Sequence, residues 1–220
     1  GVDLNPIPAA AIERVEILRD GAAAQHGSDA IAGVMNIVLK ERPSGTQVKL
    51  NLGQMYRSDG ELVQASVNHG LKLGSRGFLN LTGDYRNRGN TNRAGFDQRQ
   101  QYLPLADGSA DPREASFEPL NHRYGDADSE NLTLWANAET GVGDTGTFSF
   151  FGGYSGRKGE SAGFYRRALD ARTRPEIHPD GFLPLINTEV DDLSGSVGYR
   201  AVLGGWSLDT SLTSGSNSFE

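Results

Sequence analysis

Between residues 46 and 215, apolar and polar side chains alternate in seven separate runs. Alternation at period two predicts β-strands with one apolar and one polar face. TQVKLNLG sets Val48, Leu50 and Leu52 against Gln47, Lys49 and Asn51, and ELVQASVNHGLKL sets Val63, Ala65, Val67, Leu71 and Leu73 against Gln64, Ser66, Asn68 and Lys72. GFLNLTGDYR opposes Leu79, Leu81 and Tyr85 to Asn80, Thr82 and Asp84, and NLTLWANAETG opposes Leu132, Leu134, Ala136 and Ala138 to Thr133, Asn137 and Glu139. GTFSFFGGYSG, LSGSVGYRA and WSLDTSLTSG complete the set, with Phe148, Phe150, Tyr154, Leu193, Val197, Tyr199, Ala201, Trp206, Leu208 and Leu212 on their apolar faces. Each expected strand is about ten residues or slightly longer, the length of a barrel-spanning strand.

The connections alternate in length. LGSRG, GVGDTG and LGG read as tight turns, whereas long polar segments fill roughly residues 89–128 and 159–191, and RSDGE joins the first pair. Short turns at one end and long loops at the other predict the meander of an outer-membrane barrel. Strands of this length, tilted by about 45°, match a hydrocarbon core about 30 Å thick. A soluble sandwich, the alternative, would use strands of about 5–6 residues and would not segregate its loops. Alternation alone does not say which face meets protein. The polar set is mostly Ser, Thr, Asn and Gln, with occasional charges such as Asp84, Glu139, Arg200 and Asp209, which suits a wet lumen better than a solvated sheet face. Tyr56, Phe78, Tyr85, Phe148, Tyr154, Tyr199 and Trp206 near the strand ends predict interfacial aromatic girdles. Seven strands cannot close an even-numbered barrel, so the pattern predicts part of a larger one, with its first and last strands as edges.

The first 42 residues are organised differently. Pro8 to Ile12 predicts a turn of helix, RVEIL a short strand, AAAQH a helical turn closed by Gly27, and GVMNIVLK a second strand. Pro43, Ser44 and Gly45 form the strongest boundary, which divides the chain at 1–42 and 43–220.

Composition narrows the chemistry. Cysteine is absent, so no disulfide framework or thiolate metal site is available. A net charge of −7 argues against a nucleic-acid partner. No apolar run approaches the roughly 20 residues of a spanning helix. GVGDTG fits a dinucleotide fingerprint only by letters, because the strand GTFSFFGGY follows it where a helix is required. DADSEN opens like a calcium loop but has Asn131 where glycine is needed and Asn137 in place of the final glutamate. His26, His69, His122 and His178 are scattered without a metal-binding pair. The reading is therefore no enzyme, no cofactor and no metal.

NPIPAAAIERVEILRDGAAAQHGSDAIAGVMNIVLK resembles the C-terminal half of the plug domain of TonB-dependent outer-membrane receptors. IERVEILRDG, QHGSDAIAGV and MNIVLK match the family pattern in order and spacing, with His26 where an aromatic is common and RDGA for the commoner RGPA. The resemblance implies a mainly β chain: the later half of a plug, then about seven antiparallel strands of a barrel of about 22 strands. It implies active import of a scarce ligand (siderophore, cobalamin or oligosaccharide) at the Gram-negative outer membrane, with a non-transporting β-rich surface binding or adhesion protein as the alternative. The implied partners are the bilayer, lipopolysaccharide and the TonB energy-transducing complex, reached through a TonB box that this stretch lacks. Arg14, Glu16 and Arg19 are expected to dock plug against wall, with ordinary strand-surface charge as the other reading. Phe164, Tyr165, Arg166 and Arg167 are expected on an outer loop, contacting an anionic ligand or lipopolysaccharide phosphates, or else simply solvated.

Overall fold

A computed structural model describes residues 4–19, 27, 30 and 33–220. The proline-initiated turn is a 3-10 turn at Ala9–Ala11, followed by β1 (Ile12–Leu18) and β2 (Val34–Leu39), paired antiparallel. The expected turn at AAAQH and His26 lies outside the described residues. The remaining strands are β3 (Thr46–Gly53), β4 (Leu62–Lys72), β5 (Phe78–Arg88), β6 (Asp128–Val142), β7 (Gly146–Ala162), β8 (Leu185–Leu203) and β9 (Trp206–Phe219). They form one seven-stranded antiparallel sheet in chain order. All seven alternating runs are strands of that meander.

The faces are inverted relative to a soluble sheet. Along β4 to β6 the small polar residues are hidden: Asn68, Asn80, Thr82 and Thr133 are 3, 2, 4 and 5% exposed. The apolar set stands outward, with Val48, Leu50 and Leu212 at 72, 62 and 71% exposed. Burying polar groups is tolerable only where each finds a hydrogen bond. Asn68 Nδ2 donates to Thr82 Oγ1 at 2.8 Å and Thr133 Oγ1 to Ser155 Oγ at 3.3 Å, whereas Asn80 is bonded through Nδ2 and its buried Oδ1 has no partner.

Two expectations are corrected. β7 and β8 run to 17 and 19 residues rather than about ten, because their outer halves (RKGESA and LINTEVDD) keep the backbone ladder after hydrophobic alternation has ended. Phe78 pairs with Glu139 and so shares the inward face with Asn80, outside the outward girdle. On that outward face Tyr85 and Tyr154 mark one end, and Phe148, Tyr199 and Trp206 the other. Trp135 also faces inward, in register with Gly153, and is 6% exposed. A Cβ at Gly153 would collide with Leu134 O and the Trp135 ring, so glycine there gives the indole its place.

Candidate functional site

The inward face seats the N-terminal segment through a compact set of polar contacts. The Ala9–Ala11 turn packs on β4 and β5. Lys40, 7% exposed, donates from Nζ to Ala10 O and Gln47 Oε1, both at 2.7 Å. Asn80 Nδ2 donates to Arg42 O at 2.6 Å and Asn137 Nδ2 to Lys40 O at 2.9 Å. The wall thus grips the backbone of the segment leaving β2. Gly70 lets that segment cross closely, its N–H donating to Gly45 O at 2.8 Å; a Cβ there would strike Arg42 O. Burial, and then the nearby Arg42 charge, lower the Lys40 pKa. The ammonium is therefore held by two good acceptors against a desolvation cost.

Of the expected docking residues, Arg14 pairs with Glu16 at 2.7 Å and Asn36 Nδ2 donates to Glu16 Oε2 at 2.9 Å, all within the two-stranded sheet. Arg19 is exposed. Arg42 pairs with Glu13 at 3.3 Å, also within the N-terminal segment. Lys40, Asn80 and Asn137 form the seating seen here. For Asn80 and Asn137 the sequence signal was their place on the polar face of β5 and β6.

At the opposite end of the strands three loops cluster: 54–61, 89–127 and 163–184. The first is tied down by Asp59, whose carboxylate takes both nitrogens of Arg93 (2.5 and 3.0 Å) and the N–H of Asn92 (3.0 Å). Those donors hold the Asp59 pKa at about 2. Asn90 is likewise fixed on Asp128, through its N–H at 2.8 Å and Nδ2 at 2.9 Å.

The second and third loops share a core. Asp97, 8% exposed, receives a bidentate fork from Arg99 at 2.8 and 2.7 Å, which holds its carboxyl well below the usual carboxylate range. The Arg99 guanidinium lies 5.0 Å over the Phe164 ring and 3.0 Å from His122 Nε2. Guanidinium is a donor only, so Nε2 accepts and the proton resides on Nδ1, which donates to Asn121 Oδ1 at 2.6 Å. His122 packs against Tyr124, Phe164 and Tyr165, and burial lowers its pKa. At neutral pH its 3.8 Å approach to Asp97 is consequently a contact rather than an ion pair. Tyr102 donates to Asp180 Oδ1 at 3.0 Å, and burial and that carboxylate push its pKa up to about 12.

The four expected loop residues are therefore placed as follows. Phe164 is half-exposed within the His122 cluster. Tyr165 donates to Asp180 O at 2.9 Å. Arg166 bridges Phe182 through its backbone. Arg167 Nη1 donates to Gln100 O at 2.8 Å. Three of the four thus help build the loop core, and among their partners Arg99, Gln100 and His122 lie 42 to 67 residues away (164 − 122 and 167 − 100), beyond any local motif.

The profile of the TonB-dependent receptor plug domain matches residues 1–34. The vitamin B12 transporter BtuB of Vibrio cholerae is 35% identical over 82 residues, covering 36% of this chain and 13% of that protein. The vitamin B12 transporter BtuB of Photobacterium profundum is 30% identical over 152 residues, covering 69% of this chain and 21% of that protein. A ferric enterobactin receptor mutant of Pseudomonas aeruginosa, crystallised with enterobactin, superimposes with a TM-score of 0.60. It is 18% identical over 96% of this chain and 28% of its own, a likeness of fold. The chain thus spans about a fifth or less of the length of these curated relatives (21% and 13%).

Proposed function

The chain belongs to the TonB-dependent receptors, and from that membership we propose that it supplies plug and wall to an outer-membrane importer of a scarce ligand. The observation that carries this reading is the inversion of faces. The polar set of β4 to β6 is buried against the N-terminal segment, while Val48, Leu50, Leu81 and Leu212 stand outward between two girdles. A sheet so arranged is stable where its outside meets hydrocarbon and its inside meets a polar plug.

In this proposal residues 1–42 are plug and 43–220 are wall, with the short turns periplasmic and the three loops extracellular. The plug is held by hydrogen bonds, from Asn80 and Asn137 to its backbone carbonyls and from Lys40 to Gln47. Such contacts, each worth about 0.5–1.5 kcal/mol, fix a plug yet leave it releasable by an energised partner, here the TonB complex. Arg14, Glu16 and Arg19 remain candidates for docking on further wall, and Phe164, Tyr165, Arg166 and Arg167 for ligand or lipopolysaccharide contact. The relatives are named for vitamin B12 and ferric enterobactin, which supports a small nutrient or its metal complex as cargo and transport rather than catalysis as the activity.

The test is uptake by the full-length receptor in an outer-membrane host lacking its own receptors, with and without TonB. Accumulation of a nutrient that needs both receptor and TonB is expected. Equal uptake in the TonB-deficient strain would refute the proposal.

A further inference from the structure

On the outward face of β5 to β9 lies a cleft of about 840 Å³, within the roughly 300–1,000 Å³ range of ligand sites. Its floor is the row Ala136, Gly152, Gly195 and Ser214, which the strand register sets side by side. Larger side chains flank that row, with Leu134, Tyr154 and Leu193 toward the loops and Phe150, Val197 and Leu212 toward the turns. Packing does not force the depression. Gly83 and Gly195 both line it, and neither has the positive φ that calls for glycine. A Cβ at either position would meet its neighbours at 3.6 and 3.7 Å, an ordinary contact. A strand is stronger with a side chain at such places, and there is room for one.

The cleft slopes through the apolar band. On β5 its row, at Leu81, lies four residues below Tyr85 of the outer girdle, but on β7, at Gly152, only two below Tyr154. The floor therefore rises toward β9, where Ser214 and Ser216 present hydroxyls, and Leu81 closes the lower end. From Ser214 to Ala136 it crosses three strand spacings, about 14 Å, comparable with the roughly 15 Å that one leaflet contributes to a hydrocarbon core. No Lys, Arg, Asp or Glu among the described residues lines it, and its histidine, His69, is bonded through Nδ1 to Thr46 Oγ1 at 2.7 Å. A charged occupant would find no counter-ion there. Lipid tails are as apolar as leucine, so what an occupant gains is dispersion contact that an open cleft forfeits. We propose that this cleft seats one saturated acyl chain of an outer-leaflet lipid, whose ester oxygens accept from the Ser214 and Ser216 hydroxyls. The proposal rests on the transport reading only for the bilayer outside the wall.

The test uses the full-length receptor, stripped of lipid in detergent and titrated with dipalmitoyl-phosphatidylcholine, with retention read by native mass spectrometry. A single retained lipid per receptor is expected, and dihexanoyl-phosphatidylcholine should be held about tenfold more weakly, because its chains stop short of Leu81. Ala136→Leu fills the floor and should weaken retention about fivefold or more. Ala65→Leu, the same change on the outward face of β4 away from the cleft, should leave it unaltered. Wild-type receptor in deuterated detergent gives a readout that needs no variant. Lipid methylene protons should cross-relax more strongly with the methyls of Leu134 and Leu193 than with those of Leu50 on β3. Equal retention in the two leucine variants, equal cross-relaxation at all three residues, or a second receptor copy in place of lipid would overturn the proposal. TonB-independent uptake alongside a retained lipid would sink the transport reading and leave the site standing. TonB-dependent uptake without lipid retention would do the reverse.

Discussion

Leu81 offers the sharpest test of which face meets lipid. It stands outward on β5, paired with Ala136 on β6 and midway between the two aromatic girdles, and is 44% exposed. Were the sheet in water, Leu81→Arg would be an ordinary surface change within about 0.5 kcal/mol of neutral. In a bilayer the same guanidinium sits near the midplane, where arginine on a barrel's lipid face costs about 2–4 kcal/mol. At about 1.4 kcal/mol per tenfold, that lowers the folded-to-unfolded ratio by about 30- to 1,000-fold. The assay is guanidinium unfolding of the full-length receptor refolded in phosphatidylcholine vesicles, followed by tryptophan fluorescence. Lys49→Arg, an inward-facing change on β3 that keeps the charge, serves as control and should shift stability by less than about 0.5 kcal/mol. A Leu81→Arg variant as stable as its parent would refute the lipid assignment and with it the inversion argument.

Further outcomes follow from the seating and loop contacts. Lys40→Met removes two hydrogen bonds from a charged donor, each worth about 1.5–3 kcal/mol, while relieving the burial of an ammonium. The net expectation is a loss of about 1–3 kcal/mol at the seat, read as faster amide exchange at Ala11 and Lys40 in the intact receptor; unchanged exchange would refute the role. Gly153→Leu should displace Trp135 and shift its fluorescence, and an unaltered spectrum would contradict the packing described. Because burial depresses the His122 pKa, its stabilisation of the loop core is fully present above the ordinary histidine value of about 6.5. It is lost as pH falls below that value toward the folded pKa, since the opened loops bind the proton more readily. Amide protection of residues 97–102 and 164–169 should therefore fall between pH 8 and 5, and a His122→Gln variant should show no such step.

The sequence by itself determined the strands and their order. Period-two alternation is a local property of the pleat, so all seven wall strands were legible, β3 to the residue, and tight turns against long polar loops set the meander. The plug resemblance was equally local, because RVEIL and GVMNIVLK read as strands by pattern whatever they touch. What tertiary structure decided was the environment of each face. Alternation is symmetric between a dry interior and a lipid exterior. Only the burial of Asn68, Asn80 and Thr82 beneath the N-terminal segment resolves which side meets protein. Tertiary structure likewise placed Lys40, Asn80 and Asn137 in the seat, beside Arg14, Glu16 and Arg19, which the family resemblance had pointed to. It also drew Phe164, Tyr165 and Arg167 together with Arg99, Gln100 and His122 across 42 to 67 residues of chain (164 − 122 and 167 − 100). Hydrogen bonds to backbone carbonyls and contacts between distant loops leave no periodic mark in a sequence, because any small amide or donor at the right point in space will serve. Propensity is written along the chain, whereas the partners of a buried polar group are set by how the elements come to rest.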